Sequence, residues 1–190
     1  MDGRRARSMR ARLRIAEAVI ALHDEGNVVV TAEQVAERAG VSTRTVYHHF
    51  ADREALLGAG IKLQSKKYFG VFEQIPRELP FNERLEALLS RRSRLYEEIT
   101  PVRRAAVLVE PTSSIIQTIL REIRALKRAE VAFVFDAEIA RRPVELREET
   151  AAAAGHALSW NAWESFRAHQ GLGPERARAA VRRVVLGVLS

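Results

Sequence analysis

Two short amphipathic helices joined by a tight turn are encoded between residues 31 and 50. Thr31 is a favourable N-cap for the first helix, and Ser42 is one for the second. Gly40 lies between them and adopts, without steric cost, the positive φ that such a turn requires. We therefore expect a helix-turn-helix here. The apolar stripe of the first helix consists of Val35, Ala36 and Ala39.

The second of these helices has one packing side and one polar side. With about 100° per residue, Val46 and Phe50 fall on one side of the helix. A helix-turn-helix places such a helix in the major groove, where hydroxyl, guanidinium and ring groups reach bases and phosphates. The polar side therefore predicts DNA binding. The groups on the neighbouring arc are Thr43, Arg44, Tyr47 and His48.

Over about residues 10 to 60 the chain resembles the TetR family of bacterial transcriptional regulators. The resemblance implies an all-α protein with an N-terminal three-helix DNA-binding head and a C-terminal helical body for effector binding and dimerisation. We expect the head to span residues 8–57 and the body residues 58–190. The matching residues are Gly26, Thr31, Val35, Ala36, Ala39 to Ser42, Thr45 to Tyr47, His49, Phe50 and Asp52 to Leu57.

Three positions of the head depart from the family pattern. Family members usually have an aromatic residue in place of His23 and another in place of Asn27, and a larger aliphatic residue in place of Ala32. These departures remove apolar area from a small core, and we expect residues 28–30, all valine, to compensate in part.

The resemblance and the pattern together assign DNA contacts. Thr31 and Arg53 match positions that hold phosphates at helix N-termini, which the helix dipole favours. A helical wheel turns Thr45 and His49 partly inward, whereas the matching family positions commonly touch DNA, and we follow the family. The full set of expected contacts is Thr31, Ser42, Thr43, Arg44, Thr45, Tyr47, His48, His49 and Arg53.

Positive charge is concentrated at the start of the chain. Residues 1–14 contain six arginines and one aspartate, in a protein whose net charge is +7. A flexible basic arm beside a helix-turn-helix can follow the phosphate backbone or enter a narrow minor groove. A solvated, disordered terminus is the equally supported alternative.

Composition and motifs exclude several other classes. The chain has no cysteine, which excludes disulfides and thiolate metal sites. It has no apolar run long enough to span a membrane and no secretory signal pattern, so we expect a cytoplasmic protein. The spacings of nucleophile, metal and nucleotide motifs are missing, and the histidines form no cluster. We therefore expect neither an enzyme nor a cofactor.

Helical periodicity continues through the rest of the chain, with proline and glycine residues as breaks. We expect the helices to end near these breaks, including Pro101 and Pro143. The expected helices outside the helix-turn-helix cover about residues 12–24, 52–72, 83–99, 102–110, 113–140, 144–170 and 174–189.

The last two expected helices combine small and large apolar residues, which is typical of a helix–helix interface. In the family the corresponding pair forms a four-helix bundle with a second copy, so we expect a homodimer. Packing of the same residues inside a monomer is the alternative. The expected interface residues are Ala153, Ala157, Trp163, Ala177, Val181, Val184 and Val188.

The family also encloses an effector pocket within the body. The candidate lining residues are apolar, aromatic or hydrogen-bonding, which favours an unidentified small molecule of apolar or aromatic character. Ordinary core packing is the alternative for each of them. They are Tyr68, Phe72, Tyr96, Val107, Phe133, Trp160 and Asn161.

These features predict a ligand-responsive regulator that binds double-stranded DNA, and we expect a repressor released from a pseudo-palindromic operator by its effector. Two alternatives belong to other classes. One is a helical adaptor with a vestigial DNA-binding head, and the other is an all-helical small-molecule carrier or enzyme. Neither accounts for a complete helix-turn-helix beside an arginine-rich segment.

Overall fold

The computed structural model describes residues 3–69 and 74–190, and every regular element in these ranges is helical. The all-α prediction is therefore confirmed. The α-helices are α1 (Gly3–Asp24), α2 (Ala32–Ala39), α3 (Thr43–His49), α4 (Arg53–Phe69), α5 (Phe81–Val109), α6 (Ser114–Val134), α7 (Asp136–Ala140), α8 (Arg147–Ala157), α9 (Trp160–Glu164) and α10 (Pro174–Leu189).

The helices form two compact units, each made of two stretches of chain. The first unit comprises residues 1–71 and 99–121, and the second comprises residues 72–98 and 122–190. The boundary between two compact units need not coincide with the boundary between two functional domains. The functional division into residues 8–57 and 58–190 remains a prediction.

The core of the first unit is built from one side of each of the first four helices. Ile15 and Val19 of α1 pack with Val35 of α2 and Val46 of α3, and all four are almost completely buried. Phe50, which ends α3, closes this cluster. The packing side predicted for α3 is thus confirmed, and it leaves the other side of that helix exposed.

Local interactions fix the ends of the helix-turn-helix. Thr31 and Gln34 form a capping box, in which each side chain accepts a hydrogen bond from the other residue's backbone N–H. Gly40 has φ of 62°, and its N–H reaches back to the last turn of α2. Ser42 caps α3, and Asp52 accepts from the Ala55 N–H at 2.7 Å at the start of α4. The predicted caps and turn are confirmed.

Two glycines let α4 lie close to other helices of the first unit. A Cβ at Gly58 would lie 2.9 Å from Cδ1 of Ile119, and one at Gly60 would lie 3.2 Å from Cγ1 of Val19. Both distances are shorter than ordinary van der Waals contact. Glu54 also accepts a hydrogen bond from the Ser113 hydroxyl just before α6. These contacts hold the start of α4 between α1 and the first turns of α6.

The second unit combines an apolar core with buried ion pairs. Leu85, Leu88 and Phe135 are fully buried, and Arg84 pairs with Glu138 inside this core at 2.7 Å. Arg92 donates hydrogen bonds to the Leu158 and Lys127 carbonyls and to Glu130. Because these guanidinium groups have carboxylate and carbonyl acceptors, their charges are accommodated away from water.

Expectations about helix boundaries are wrong at three internal breaks, and α1 begins at Gly3 rather than near residue 12. Pro101 lies inside the continuous helix α5, although proline removes one helical hydrogen bond and crowds the carbonyl four residues earlier. Tyr96 and Val102, buried on either side of it, favour keeping the helix intact. The segment 113–140 divides into α6 and α7, and the segment 144–170 divides into a 3-10 turn, α8, α9 and a π-helical turn.

Candidate nucleic-acid interface

Helix α3 presents a polar surface above its buried side. Ser42, Arg44, Tyr47 and His48 are exposed, and the Tyr47 side chain is 54% exposed although it is aromatic. An exposed tyrosine beside an arginine is suited to contact bases and phosphates. The structure therefore brings these four predicted contacts together on one surface.

Thr43, Thr45 and His49 are half-buried, as the helical wheel indicates for Thr45 and His49. The Thr45 hydroxyl lies 2.8 Å from the Ser42 hydroxyl, and Ser42 Oγ also accepts from the Thr45 N–H at 3.1 Å. The first turn of α3 is consequently held by side-chain as well as backbone hydrogen bonds. Contact of these residues with DNA remains a prediction.

Arg12 supports the end of α3 from α1. Its guanidinium lies 4.7 Å from the centre of the Phe50 ring and donates to the His49 carbonyl at 3.4 Å. Burial lowers the pKa of His49, and the nearby His48 and Arg12 lower it further. His49 is therefore neutral near pH 7 and offers a hydrogen-bonding ring rather than a positive charge.

Thr31 and Arg53 lie exposed at the starts of α2 and α4. Thr31 Oγ1 accepts from the Gln34 N–H at 3.3 Å, and its own proton is still able to reach a phosphate. Arg53 follows the Asp52 cap directly. Unpaired backbone N–H groups and the helix dipole favour an anion at both places.

Sequence reasoning missed two supports of this surface. Gln34 completes the capping box, and the spacing of Thr31 and Gln34 carried that signal. The second support is an ion pair between Arg38 of α2 and Glu25, just before the turn at Gly26. These residues are 13 positions apart, so no local sequence pattern indicates that they meet.

The basic N-terminal segment is helical rather than a flexible arm. Helix α1 begins at Gly3, and Arg7 donates through Nε to the Gly3 carbonyl at 3.2 Å. Arg7, Arg10 and Arg14 are exposed at helical spacing, so they share one side of α1. Whether this side contacts DNA remains a prediction.

The structure describes only some of the predicted effector-pocket residues, so the pocket remains a prediction. Phe72 lies outside the described residues, and the Tyr68 side chain is likewise undescribed. Val107 belongs to the first unit and is 40% exposed. Phe133 lies half-buried under the Arg77 guanidinium, at 3.9 Å. Of the other candidates, which belong to the second unit, Trp160 is half-buried and Asn161 exposed.

Tyr96 is fully buried, in surroundings more polar than we expected. Its hydroxyl donates to the Leu158 carbonyl at 2.6 Å, and Lys127 Nζ lies 4.5 Å from the ring centre. Burial raises the pKa of Tyr96, but Lys127 and Arg92 outweigh burial, so the pKa is lowered. The cavity beside Tyr96 and Trp163 has a volume of about 10 Å³, which is too small for an effector in this state.

The predicted interface residues divide into two groups. Ala157, Trp163, Ala177 and Val181 are buried within the chain itself and have no surface to offer a second copy. They face inward because small and large side chains interlock between the terminal helices of one protomer. The residues that retain accessible surface are Ala153, Val184 and Val188.

Two kinds of feature are absent from the described ranges. No helix in residues 3–69 or 74–190 is both long and apolar enough to cross a membrane. In the same residues, no three histidine, aspartate or glutamate side chains are grouped so that they could hold a metal ion.

Comparison with known proteins identifies the first unit's helix-turn-helix. Residues 15–59 match the family model described as bacterial regulatory proteins, tetR family, which confirms the resemblance. No curated protein matches the chain in sequence.

Solved structures extend the likeness to nearly the whole chain. A transcriptional regulator from Rhodococcus sp. Rha1 has a TM-score of 0.74 and 20% identity, over 94% of this chain and 95% of that one. A tetR-family transcriptional regulator from Streptomyces coelicolor has a TM-score of 0.73 and 15% identity, over 94% and 79% respectively. At these identities the matches establish the fold, and function has to be argued from the site.

Proposed function

We propose that this chain, which has the fold of TetR-family transcriptional regulators, is a ligand-responsive repressor that binds a pseudo-palindromic operator as a homodimer. The observation that carries the proposal is the exposed side of α3. Arg44, Tyr47 and His48 project from a helix whose other side is locked into the core by Val46 and Phe50. A side chain on a locked helix recognises DNA with little loss of conformational entropy.

Each part of this surface has a distinct role. Arg44 forms two hydrogen bonds to guanine, which discriminate against other bases by about 1–3 kcal/mol. Thr31 and Arg53 hold phosphates on either side and set the register of the helix on the duplex. Twofold symmetry of the dimer then requires two half-sites about one helical turn apart.

The exposed surfaces of α8 and α10 favour a twofold dimer. Glu148 and Glu149 are exposed on α8, whereas Arg176 and Arg183 are exposed on α10. In an interface related by a twofold axis, α8 of one copy meets α10 of the other, so opposite charges pair twice. Ala153, Val184 and Val188 are apolar members of the same interface.

The effector acts by shifting the population of conformers. A small apolar or aromatic molecule binds a conformer in which the two α3 helices no longer fit successive major grooves, and transcription resumes. The size of this response equals the difference between the effector's affinities for the two conformers. Such a protein works in the cytoplasm and has no catalytic step.

Selection of bound duplexes from a random pool tests the operator, and titration of the selected DNA tests the surface. We expect a twofold-symmetric site, and we expect Arg44→Ala to weaken its binding about 5- to 150-fold, which corresponds to the loss of one bidentate base contact. Tyr47→Ala should weaken binding as well. Arg128→Ala is the matched control, because it removes the same charge from an exposed position of α6.

Equal weakening by Arg44→Ala and Arg128→Ala would show that only net charge matters. Wild-type affinity in both Arg44→Ala and Tyr47→Ala would show that the assigned surface does not contact DNA.

Sedimentation of two interface variants tests the dimer. Ala153→Arg and Val184→Glu each place a charge in the proposed interface, where an unpaired buried charge is strongly unfavourable. We expect wild-type protein to be dimeric at micromolar concentration and both variants to shift toward the 21.4 kDa monomer. Leu126→Glu, at an exposed position of α6, is the control. A monomeric wild type would refute the dimer.

A further inference from the structure

A cavity of about 630 Å³ lies within the first unit, beside the helix-turn-helix. Its walls come from the end of α1, the segment 28–30, the start of α4 and the last turns of α5. Binding sites for small molecules usually measure about 300–1,000 Å³. The space is therefore large enough for a ring compound.

The walls of this cavity are mainly apolar. Leu56, Leu57 and Ala105 form its buried part, with exposures of 8% or less. Val28 and Leu108 lie where it opens and are 53% and 66% exposed. Large apolar side chains left this exposed around a cavity favour an apolar occupant, which would remove them from water.

One polar group in the lining is both buried and incompletely bonded. His23 is 4% exposed, and its Nδ1 lies 2.7 Å from the Asn27 carbonyl. A carbonyl only accepts, so Nδ1 carries the proton and Nε2 is left as an acceptor. Within the part of the chain that the structure describes, Nε2 has no hydrogen-bond partner.

His23 is also held neutral. Burial lowers its pKa, and the opposing influences of the Asn27 carbonyl and Asp24 do not reverse this. Asn27 in turn donates through Nδ2 to the Leu22 carbonyl at 2.9 Å, which fixes the loop that orients the imidazole. The ring therefore has a defined tautomer and one acceptor to offer.

We propose that this cavity binds a small aromatic molecule bearing one hydroxyl group, with the rings against Leu56, Leu57 and Leu108 and the hydroxyl donating to Nε2 of His23. A buried acceptor without a partner costs free energy, and a ligand hydroxyl removes that cost. An apolar isostere without the donor gains only the contacts of its rings. The site thus selects a phenol over the corresponding ether.

This site does not depend on the proposed function, because its occupancy can be measured without DNA. It would nevertheless affect DNA binding, since Tyr47 and Arg53 also line the cavity. A molecule in the cavity shares its walls with these two predicted DNA contacts, so we expect occupancy to alter operator binding. Because ligand binding is measured without DNA, a failure to bind the ligand can be distinguished from a failure to bind the operator.

Calorimetric titration of the full chain with 1-naphthol and 1-methoxynaphthalene tests the site. These probes share their rings and differ in the hydroxyl proton. We expect wild-type protein to bind 1-naphthol about 3- to 10-fold more tightly than the ether, as one hydrogen bond would predict. We expect His23→Phe to abolish this preference while leaving the helix content unchanged by circular dichroism.

Leu108→Arg tests the cavity itself without altering a buried position. We expect it to weaken 1-naphthol binding at least tenfold, whereas Leu126→Arg, the same change at an exposed leucine of α6, should leave binding unchanged. Equal affinities in the two arginine variants would overturn the proposal, as would failure of the wild type to bind 1-naphthol. An undiminished preference for the hydroxyl in His23→Phe would overturn the role of His23.

Discussion

Replacing Arg84 by methionine is expected to lower the free energy of unfolding by about 3–5 kcal/mol at neutral pH, the usual cost of breaking a buried ion pair. The side chains of Arg84 and Glu138 are 6% and 5% exposed. Two hydrogen bonds of 2.7 and 3.1 Å join them, and Arg84 also donates to the Leu79 carbonyl at 2.9 Å and to the Val134 carbonyl. Methionine fills much of the same space but leaves the Glu138 carboxylate buried without its counterion.

The stability that Glu138 contributes above its unfolded pKa should decrease in the same variant. Burial raises the pKa of Glu138, but the hydrogen bond and charge of Arg84, a backbone hydrogen bond and the charge of Arg141 together outweigh burial, so the pKa is lowered. Wild-type protein therefore gains stability from this carboxylate above its unfolded pKa and loses it as the pH falls through the folded pKa. Without Arg84, burial is opposed only by the backbone hydrogen bond and by Arg141, so the folded pKa of Glu138 rises and protonation at low pH should reduce the cost of the substitution.

Urea unfolding at fixed protein concentration, at pH 7 and pH 4.5, measures both effects. The double variant Arg84→Met/Glu138→Leu is the control, because replacing both charges by apolar groups removes the unpaired carboxylate. We expect it to be much more stable than Arg84→Met. Equal losses in the single and double variants would mean that packing, rather than the lost pairing, accounts for the effect.

Replacing Phe50 by alanine is expected to cost about 3–5 kcal/mol in the first unit, the usual range for a buried phenylalanine. Phe50 is 3% exposed in the cluster that joins α1 to α3, and Arg12 loses the ring that its guanidinium covers. Hydrogen exchange of the backbone amides in α1–α3 measures the loss locally. We expect exchange there to accelerate by two orders of magnitude or more, since each 1.4 kcal/mol is about a factor of ten.

Tyr47→Ala is the matched comparison, because Tyr47 is an aromatic residue only three positions earlier. Its side chain is exposed, whereas that of Phe50 is buried. We expect it to leave amide exchange nearly unchanged and to weaken operator binding. Phe50→Ala should accelerate amide exchange and also weaken operator binding, since an unfolded head cannot hold its DNA contacts in place. Slow exchange throughout α1–α3 in Phe50→Ala would contradict the buried position of the ring.

Features determined by near neighbours in the chain could be predicted from sequence. The Ser42 cap and the positive φ of Gly40 depend on residues within about one helical turn, and helical spacing alone shows that Val46 and Phe50 share the packing side of α3. The continuity of α5 through Pro101 could not be predicted, because it depends on burial contributed by distant segments.

The same difference between local and long-range contacts explains why other sites were predicted only in part. Ala177 and Val181 lie at helical spacing, and that spacing cannot show whether the partner helix belongs to the same chain or to a second one. Their burial resolves this in favour of the same chain. His23 was recognised only as a departure from a family pattern, because its bond to Asn27 and its cavity exist only in three dimensions.

The contact between the hydroxyl groups of Ser42 and Thr45 at the start of α3 limits the number of hydrogen bonds that this turn can donate to DNA. Ser42 and Thr45 carry one hydroxyl hydrogen each, and their mutual contact at 2.8 Å occupies one of the two. Phosphate oxygens accept but never donate, so while the contact persists only a single hydrogen is available for the backbone. A nucleic acid that engages both residues must break the contact between them, and its sequence preference would then include the ease of doing so.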